Sequence, residues 1–263
     1  MTATARPRHA ARRPRRRPLA TVARIASQLR GDPRTIALVL VMPVVLLTLL
    51  YFVFVDVPTP PGVPSPFDTI GPIMLAVLPM MLMFIVTSVV MLRERTSGTL
   101  ERILTTPLTR WNLVASYATV FGLLALVQAS ILGWLILGPM DAHVEGQWPA
   151  LLLLAVLDAL FGVAFGLLAS AFARNEFQAV QFMPLFVGPQ IILCGLFVTP
   201  EQMPDALGTF ASWLPMTWAV DVVRDIIEHP ELGDGSWLRL GGLAVAVVLA
   251  LALASRSMPR KTR

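Results

Sequence analysis

Long apolar runs are the feature of this 263-residue sequence that most restricts its fold. A helix needs about 20 apolar residues to cross the hydrocarbon core of a bilayer, because each residue advances it by about 1.5 Å. Only 14% of the residues are charged, against roughly 25% in soluble domains, which excludes a soluble enzyme. We predict an all-α membrane protein with six transmembrane helices: Ile36–Val55, Ile70–Leu92, Leu113–Leu137, Pro149–Ala173, Phe177–Val198 and Trp237–Ala254.

The distribution of charge predicts the orientation of these spans. Nineteen of the 21 Lys and Arg residues lie in the N-terminal segment, the second and fourth connections, and the C-terminal tail. Cytoplasmic flanks accumulate Lys and Arg, so both termini are expected in the cytoplasm of a bacterial plasma (inner) membrane. The predicted division is an Arg-rich arm with an interfacial helix (1–34), a six-helix domain (35–255) and a basic tail (256–263). The arm is expected to bind anionic lipid rather than nucleic acid.

Two amphipathic segments lie beside the predicted spans. After Pro18, apolar residues recur at helical spacing until Gly31, which predicts a short helix in the membrane interface. Residues 199–236, on the other side of the membrane, carry Trp213 and Trp218. Because Trp side chains prefer the interface, this segment is expected to dip back into the outer leaflet as short amphipathic helices.

A short charged segment separates the second and third predicted spans. Gly98 allows a break in chain direction, and Pro107 is expected to end the helix between them. Within this helix Leu100, Ile103 and Leu104 form a small apolar face flanked by charges. The pattern fits either a solvated connector or a stiff helix that sits in a groove on another protein.

Residues 93–108, RERTSGTLERILTTPL, resemble the cytoplasmic signature of ABC-2 type exporter permeases, whose usual pattern is R-E-x-x-x-G-T-L-E-x-L-L-x-T-P. The likeness is to the drug-resistance branch typified by daunorubicin exporters. A second stretch, Pro200–Pro204 followed by Leu214–Arg224, is similar to the P-x-x-x-P and L-P-x-T-x-x-x-D-x-x-R elements of that family. With the six predicted spans, the resemblance covers nearly the whole chain.

The resemblance implies a transmembrane permease subunit that pairs with a separate ABC ATP-binding subunit. It also implies a second permease copy or a sister permease, and a drug, antibiotic or lipid-like amphiphile as the exported substrate. The connection at about 93–108 would be the coupling helix that docks on the ATPase. The residues expected at that contact are Glu94, Arg95, Gly98, Thr99, Leu100, Glu101, Arg102, Leu104 and Pro107.

The chain itself is not expected to be an enzyme or to bind a cofactor. A phosphate-binding loop needs glycines before its lysine, and the only lysine, Lys261, has none near it. ATP and Mg²⁺ are therefore expected on the partner subunit. His9, His143 and His229 lie outside the predicted spans, so no metal site is expected there.

Asp158 is the only charged residue deep inside a predicted span. Gly162, Gly166 and Ser170 follow it at four-residue intervals, a small-residue stripe that lets helices approach closely. Because a carboxylate in lipid is costly, Asp158 is expected to face protein or a cavity. Two roles remain open, a pathway residue for a cationic or polyhydroxylated substrate and a helix-packing carboxylate. A rival function is a stand-alone proton-coupled efflux carrier that uses Asp158.

Overall fold

The computed structural model describes residues 18–60, 64–105 and 108–257, and the regular structure in these ranges is entirely helical. This confirms the all-α prediction. A 3₁₀ turn lies at Pro200–Gln202. The α-helices of the described ranges are α1 (Pro18–Arg30), α2 (Pro33–Phe54), α3 (Pro66–Thr96), α4 (Thr99–Leu104), α5 (Arg110–Leu137), α6 (Trp148–Phe172), α7 (Glu176–Leu193), α8 (Asp205–Ser212), α9 (Pro215–Glu228) and α10 (Asp234–Ser257).

Five helices in the described part of the chain are long and apolar enough to cross a membrane, namely α2, α3, α5, α6 and α10. The fifth predicted span, Phe177–Val198, is not among them. The helix found there, α7, ends at Leu193 and contains Pro184 and Pro189. A sixth crossing therefore stays a prediction.

Local signals in the sequence explain where the first helices begin. Gly31 and Asp32 separate α1 from α2, and the Asp32 carboxylate caps α2 by accepting from Thr35 N at 3.2 Å and Thr35 Oγ1 at 2.7 Å. At α3, Ser65 and Asp68 form a capping box. These caps satisfy main-chain N–H groups that have no partner within the helix.

Contacts between helix ends divide the bundle into two ends. At one end His143 N donates to Asp68 at 3.0 Å, and Gly146 N donates to the Ile226 carbonyl at 2.8 Å, so the starts of α3 and α6 lie beside the end of α9. The other end holds α1, α4, the junction of α6 with α7, and the last turn of α10. We call it the basic end, because most of the Arg residues predicted to face the cytoplasm lie in these elements or in the termini next to them.

The helix α6 forms the centre of the bundle. It packs most extensively on α3 and also contacts α5, α9 and α10. In its most apolar stretch 61% of the residues are buried, against 17% in α2. The α2 helix therefore leaves most of its apolar surface for lipid or for another protein.

The segment between α7 and α10 contains the 3₁₀ turn, α8 and α9, and its predicted return into the outer leaflet stays a prediction. Met216, Val220 and Val223 of α9 are buried against the core. At the edge of this buried face, Arg224 donates to the Gly195 carbonyl and joins the chain just after α7 to α9.

Candidate functional site at the basic end of α3

The sequence predicted one coupling helix at about 93–108. The structure divides the described part of this segment between two helices. Arg93 to Thr96 continue α3, and α4 contains only the six residues Thr99–Leu104. Gly98 lies between the two helices with φ +71°, a left-handed conformation that glycine adopts without strain. The Ser97 hydroxyl lies 3.0 Å from that of Thr99 across this bend. Gly98 is therefore a hinge between a long, buried helix and a short, surface helix.

Three consecutive charged side chains precede the hinge and point to different neighbours, because successive helical residues are rotated by about 100°. Arg93 Nε donates to Glu176 Oε1 at 2.7 Å and Nη2 to Oε2 at 3.0 Å, which joins α3 to the start of α7. Both side chains are more than half exposed. The hydrogen bond from Arg93 is the main reason that the pKa of the Glu176 carboxyl lies below its ordinary value.

Glu94 points inward and is only 6% exposed. Its carboxylate accepts from Arg24 of α1 at 2.7 Å, and the Arg24 side chain is 29% exposed. Tyr117 of α5, which is fully buried, lies beside this ion pair. A buried charge is tolerated when it is paired and hydrogen-bonded. This ion pair attaches the amphipathic helix α1 to the end of α3.

Arg95 is directed to the end of α6. Its guanidinium donates to the carbonyls of Ala171, at 2.6 Å, and of Ala173. Carbonyls in the last turn of a helix have no intrahelical partner and carry partial negative charge. Arg95 therefore caps α6 and fixes its end against α3. We refer to Arg93, Glu94 and Arg95 with these contacts as the charged hub.

The residues expected to touch an ATPase are thus in two different environments. Glu94 and Arg95 are used within the chain, and Leu100 is only 3% exposed because it packs into the bundle core. In this structure the Leu100 side chain therefore faces the bundle rather than a partner, and its role in coupling stays a prediction. Glu101 and Arg102 are more exposed, at the surface of α4.

The exposure of two other residues expected at the ATPase contact is not described. Pro107 lies outside the described residues, as does the side chain of Leu104. Thr99, which is half-buried, stands directly after the Gly98 hinge.

The stripe of small residues on α6 lies against α3. A Cβ atom at Gly162 would collide with the main-chain carbonyl of Met80, and one at Gly166 with that of Phe84. The two contacts are four residues apart on both helices, so α3 and α6 run in the same direction in close contact. Ser170, further along the stripe, is buried and donates to its own helix at Leu167 O, 2.6 Å away.

Asp158 lies one turn before Gly162 and is completely buried. Within the described residues neither of its carboxylate oxygens has a hydrogen-bond partner. No group of three or more His, Cys, Asp or Glu residues in the described ranges is placed to hold a metal ion. Asp158 is therefore a solitary enclosed carboxyl group in the centre of the bundle.

Sequence reasoning missed Arg24 as the partner of Glu94, and Tyr117 as the buried residue beside that ion pair, whose hydroxyl makes no hydrogen bond within the described residues. The helical pattern assigned Arg24 to the polar face of α1, which is where an exposed arginine would also lie. A weak signal was present in Tyr117, one of only two tyrosines in the chain and placed in an apolar span. Buried tyrosines usually have a polar partner for the hydroxyl.

Five helices of the described residues are long and apolar enough to cross a membrane, which is typical of a multi-pass membrane protein. The family model for the ABC-2 type transporter matches residues 19–227. The chain therefore belongs to the ABC-2 type transporter family.

Relatives in this family are named as transport proteins. The chain is 29% identical over 174 residues to the probable multidrug ABC transporter permease YbhR of Escherichia coli strain K12, a match that covers 66% of this chain and 47% of the relative. It is 26% identical to the inner membrane transport permease YhhJ of the same strain, over 56% of this chain and 40% of the relative. Nodulation protein J of Bradyrhizobium diazoefficiens is 31% identical over 39% of this chain and 40% of its own length. The chain thus matches less than half the length of each of these relatives.

Proposed function

We propose that this chain is the transmembrane permease subunit of an ATP-driven ABC exporter, and that α4 receives the movement of a separate ATP-binding subunit. ATP and Mg²⁺ bind to that partner, and this chain hydrolyses nothing itself. The charged hub is the observation that carries the proposal. It connects the residues just before α4 to α1, α6 and α7, so a displacement of α4 that passes through Gly98 and the buried Leu100 would reach four helices.

The contact surface for the ATPase is the outward face of α4. Leu100 fixes the inner face to the bundle, while Arg102 and Thr105 are exposed. The buried inner face gives α4 a contact with the bundle in addition to the Gly98 hinge. Electrostatic complementarity at the outward face selects the partner.

The proposed orientation places the basic end in the cytoplasm of a bacterial inner membrane. The ten Arg residues of segment 1–34 support it, since positively charged segments stay on the cytoplasmic side. The opposite end is rich in acidic residues, among them seven between 201 and 234. The N- and C-termini are then both cytoplasmic.

The export pathway is proposed to lie at α7, between this chain and a second permease copy or a sister permease. Gln181 is exposed on α7, and Pro184 and Pro189 interrupt its main-chain hydrogen bonding. Such a surface is poorly suited to lipid but is tolerated where it lines a cavity or meets protein. With two copies facing each other, α7 completes a sixth crossing that is sheltered from lipid.

The substrate is proposed to be a drug, antibiotic or lipid-like amphiphile. The multidrug naming of YbhR supports this class. The apolar character of the helices supports it as well, since 56% of the residues are hydrophobic. Asp158 is then either exposed to substrate when the bundle opens or kept as a packing group.

A second candidate function is a stand-alone efflux carrier that uses Asp158 to carry protons. One observation favours it: Asp158 is fully buried and its two oxygens have no partner in the described structure. Intramembrane carboxyl groups of this kind serve as proton relays in pumps and transporters.

The decisive experiment changes the charge of α4. Glu101→Arg is expected to abolish both capture of the ATP-binding subunit and transport, while membrane insertion is retained. The matched control is Glu231→Arg, the same change at an exposed position at the opposite end, which should transport normally. Normal transport by Glu101→Arg would contradict the docking role.

The energy source separates the two candidate functions. Transport is measured in cells or vesicles in which an uncoupler collapses the proton gradient while ATP is held constant. An ATP-driven exporter continues to transport under these conditions. Loss of transport would favour the proton carrier and reject the exporter.

A further inference from the structure

A cavity of about 290 Å³ lies at the basic end, between α1, the end of α3 and α5. Its volume is at the lower end of the roughly 300–1,000 Å³ typical of small-ligand pockets. Ile25 and Leu29 of α1, Val90 of α3 and Phe121 of α5 give it an apolar floor. The helix α1 therefore does not seal against the bundle along its whole length.

The rim of this cavity is polar, and three carboxylates, those of Asp32, Glu94 and Glu176, lie at or beside it against the two guanidinium groups of Arg24 and Arg93. Glu94 is paired with Arg24, and Arg93 is paired with Glu176. Asp32, in contrast, makes no ion pair within the described residues: it accepts two hydrogen bonds from Thr35, and Arg93, which also lines the cavity, acts on it only through its charge. Those hydrogen bonds hold the pKa of the Asp32 carboxyl below its ordinary value, so it is charged at neutral pH. Two of its lone pairs remain available for a further donor.

An apolar floor below an unpaired carboxylate selects a ligand with an apolar chain and a positively charged group. We propose that this cavity binds amphiphilic primary ammonium ions, with the ammonium on Asp32 and the chain along Ile25, Leu29 and Phe121. An ammonium group offers three donors and can be shared between Asp32 and Glu94. An anionic amphiphile meets the carboxylates of Asp32 and Glu94 at this rim, where the one lining cation among the described residues, Arg93, is already paired with Glu176, and a neutral alcohol lacks the charge.

The cavity also touches both sides of the hinge, which gives its ligand a way to act on coupling. Ser97 and Thr99, the neighbours of Gly98, both line it. A ligand in contact with both residues favours one angle between α3 and α4 over the others. The regulatory part of this inference rests on the proposed function, since it assumes that α4 contacts an ATPase, whereas the binding itself does not.

The binding test uses the full-length chain in neutral detergent, with the buried Cys194 replaced by Ser. A Ser97→Cys thiol on the exposed rim of the cavity is alkylated with a maleimide in the presence of dodecylammonium, dodecanol or dodecyl sulfate. The matched control is Ser27→Cys, which is exposed on α1 but does not line the cavity. Each measurement is repeated with Asp32→Asn added.

Dodecylammonium at ten times its dissociation constant is expected to slow alkylation of Ser97→Cys about tenfold, by simple occupancy. It should leave Ser27→Cys unaffected, and Asp32→Asn should remove the protection. Equal protection by dodecanol or dodecyl sulfate, or protection that survives Asp32→Asn, would overturn the proposal, as would no protection at all.

Two sources could supply the ammonium group, and a lipid comparison distinguishes them. The chain is placed in nanodiscs of phosphatidylethanolamine, which has a primary ammonium, or of phosphatidylcholine, which has no N–H donor. Protection by phosphatidylethanolamine alone identifies a membrane lipid as the ligand. Protection only after dodecylammonium is added to either lipid identifies a free amphiphilic amine.

The regulatory part is tested on the complex with the ATP-binding subunit. Dodecylammonium should change ATP turnover at least twofold, and Asp32→Asn should abolish the change. Binding without any change in turnover would reject the regulatory part. If no ATP-binding subunit associates with the chain, the proposed function fails while the binding result stands.

Discussion

The ion pair between Arg24 and Glu94 should be the attachment that keeps α1 on the bundle. We predict that Arg24→Met, which retains the apolar stem but removes the charge, releases α1 from the end of α3. Removing one partner of a fully buried pair costs about 3–5 kcal/mol, and exposed pairs contribute about 0.2–1 kcal/mol. Glu94 is 6% exposed and Arg24 is 29% exposed, so we expect about 2 kcal/mol.

A cost of this size corresponds to a roughly 30-fold increase in the opening of α1, since about 1.4 kcal/mol is a factor of ten. Amide hydrogen exchange of residues 18–30, followed by mass spectrometry in detergent micelles, measures this local opening directly. The double variant Arg24→Met with Glu94→Gln leaves no buried charge, so most of the lost protection should return.

The control for this experiment is Glu176→Gln, which breaks the neighbouring ion pair of the charged hub. That pair is more than half exposed, and it does not involve α1, so exchange of residues 18–30 should stay at the wild-type rate. Unchanged exchange in Arg24→Met would refute the reasoning. Exchange in the double variant as fast as in Arg24→Met would refute it as well.

Three further predictions concern the bundle centre and the α3–α7 contact. Gly162→Leu should prevent folding, because the new side chain would collide with the α3 main chain; loss of the monodisperse peak in size-exclusion chromatography would report this. The control Gly188→Leu should fold normally, because no atom of a neighbouring element in the described structure lies within 4 Å of a Cβ at that position. Asp158→Asn should assemble with its partners but alter the transport rates of cationic substrates, and an unaltered profile across several of them would retire the pathway role. The Arg93–Glu176 ion pair should stabilise the start of α7 fully above the ordinary glutamate pKa of about 4.3, and this stabilisation should be lost as the pH falls through the depressed pKa of Glu176. Amide hydrogen exchange of the first turn of α7, corrected for its intrinsic pH dependence, should then rise less than about fivefold, since the pair is exposed.

Hydropathy and helical periodicity predicted most of the fold. Five of the six predicted spans correspond to helices that can cross a membrane, because the burial of apolar residues in lipid depends on local composition. The α7 region was harder, since Gln and Pro residues dilute its apolar character and its suitability for a crossing depends on what covers it. Local sequence patterns do not show which protein or lipid surface covers a helix.

The candidate site could be located from the sequence but not built from it. The motif identified the end of α3, yet the partners of Arg93 and Arg95 are 83 and 76 to 78 residues away in the chain. Nothing in residues 93–108 distinguishes a charge that faces a partner protein from one that pairs inside the bundle. Leu100 illustrates the same limit, because its burial depends on how α4 folds back across Gly98.

The long separation within the charged hub has a consequence for biosynthesis. A ribosome adds about 5–20 residues per second, so roughly 4–16 s pass between the synthesis of Arg95 and that of the Ala173 carbonyl to which it binds. During this interval α6 cannot yet hold the end of α3. The end of α3, from which the chain continues into α4, gains these contacts only once α6 and the start of α7 have been synthesised. Under the proposed function, the docking surface at α4 would thus be completed late, and recruitment of an ATP-binding subunit would select finished permeases over partly inserted chains.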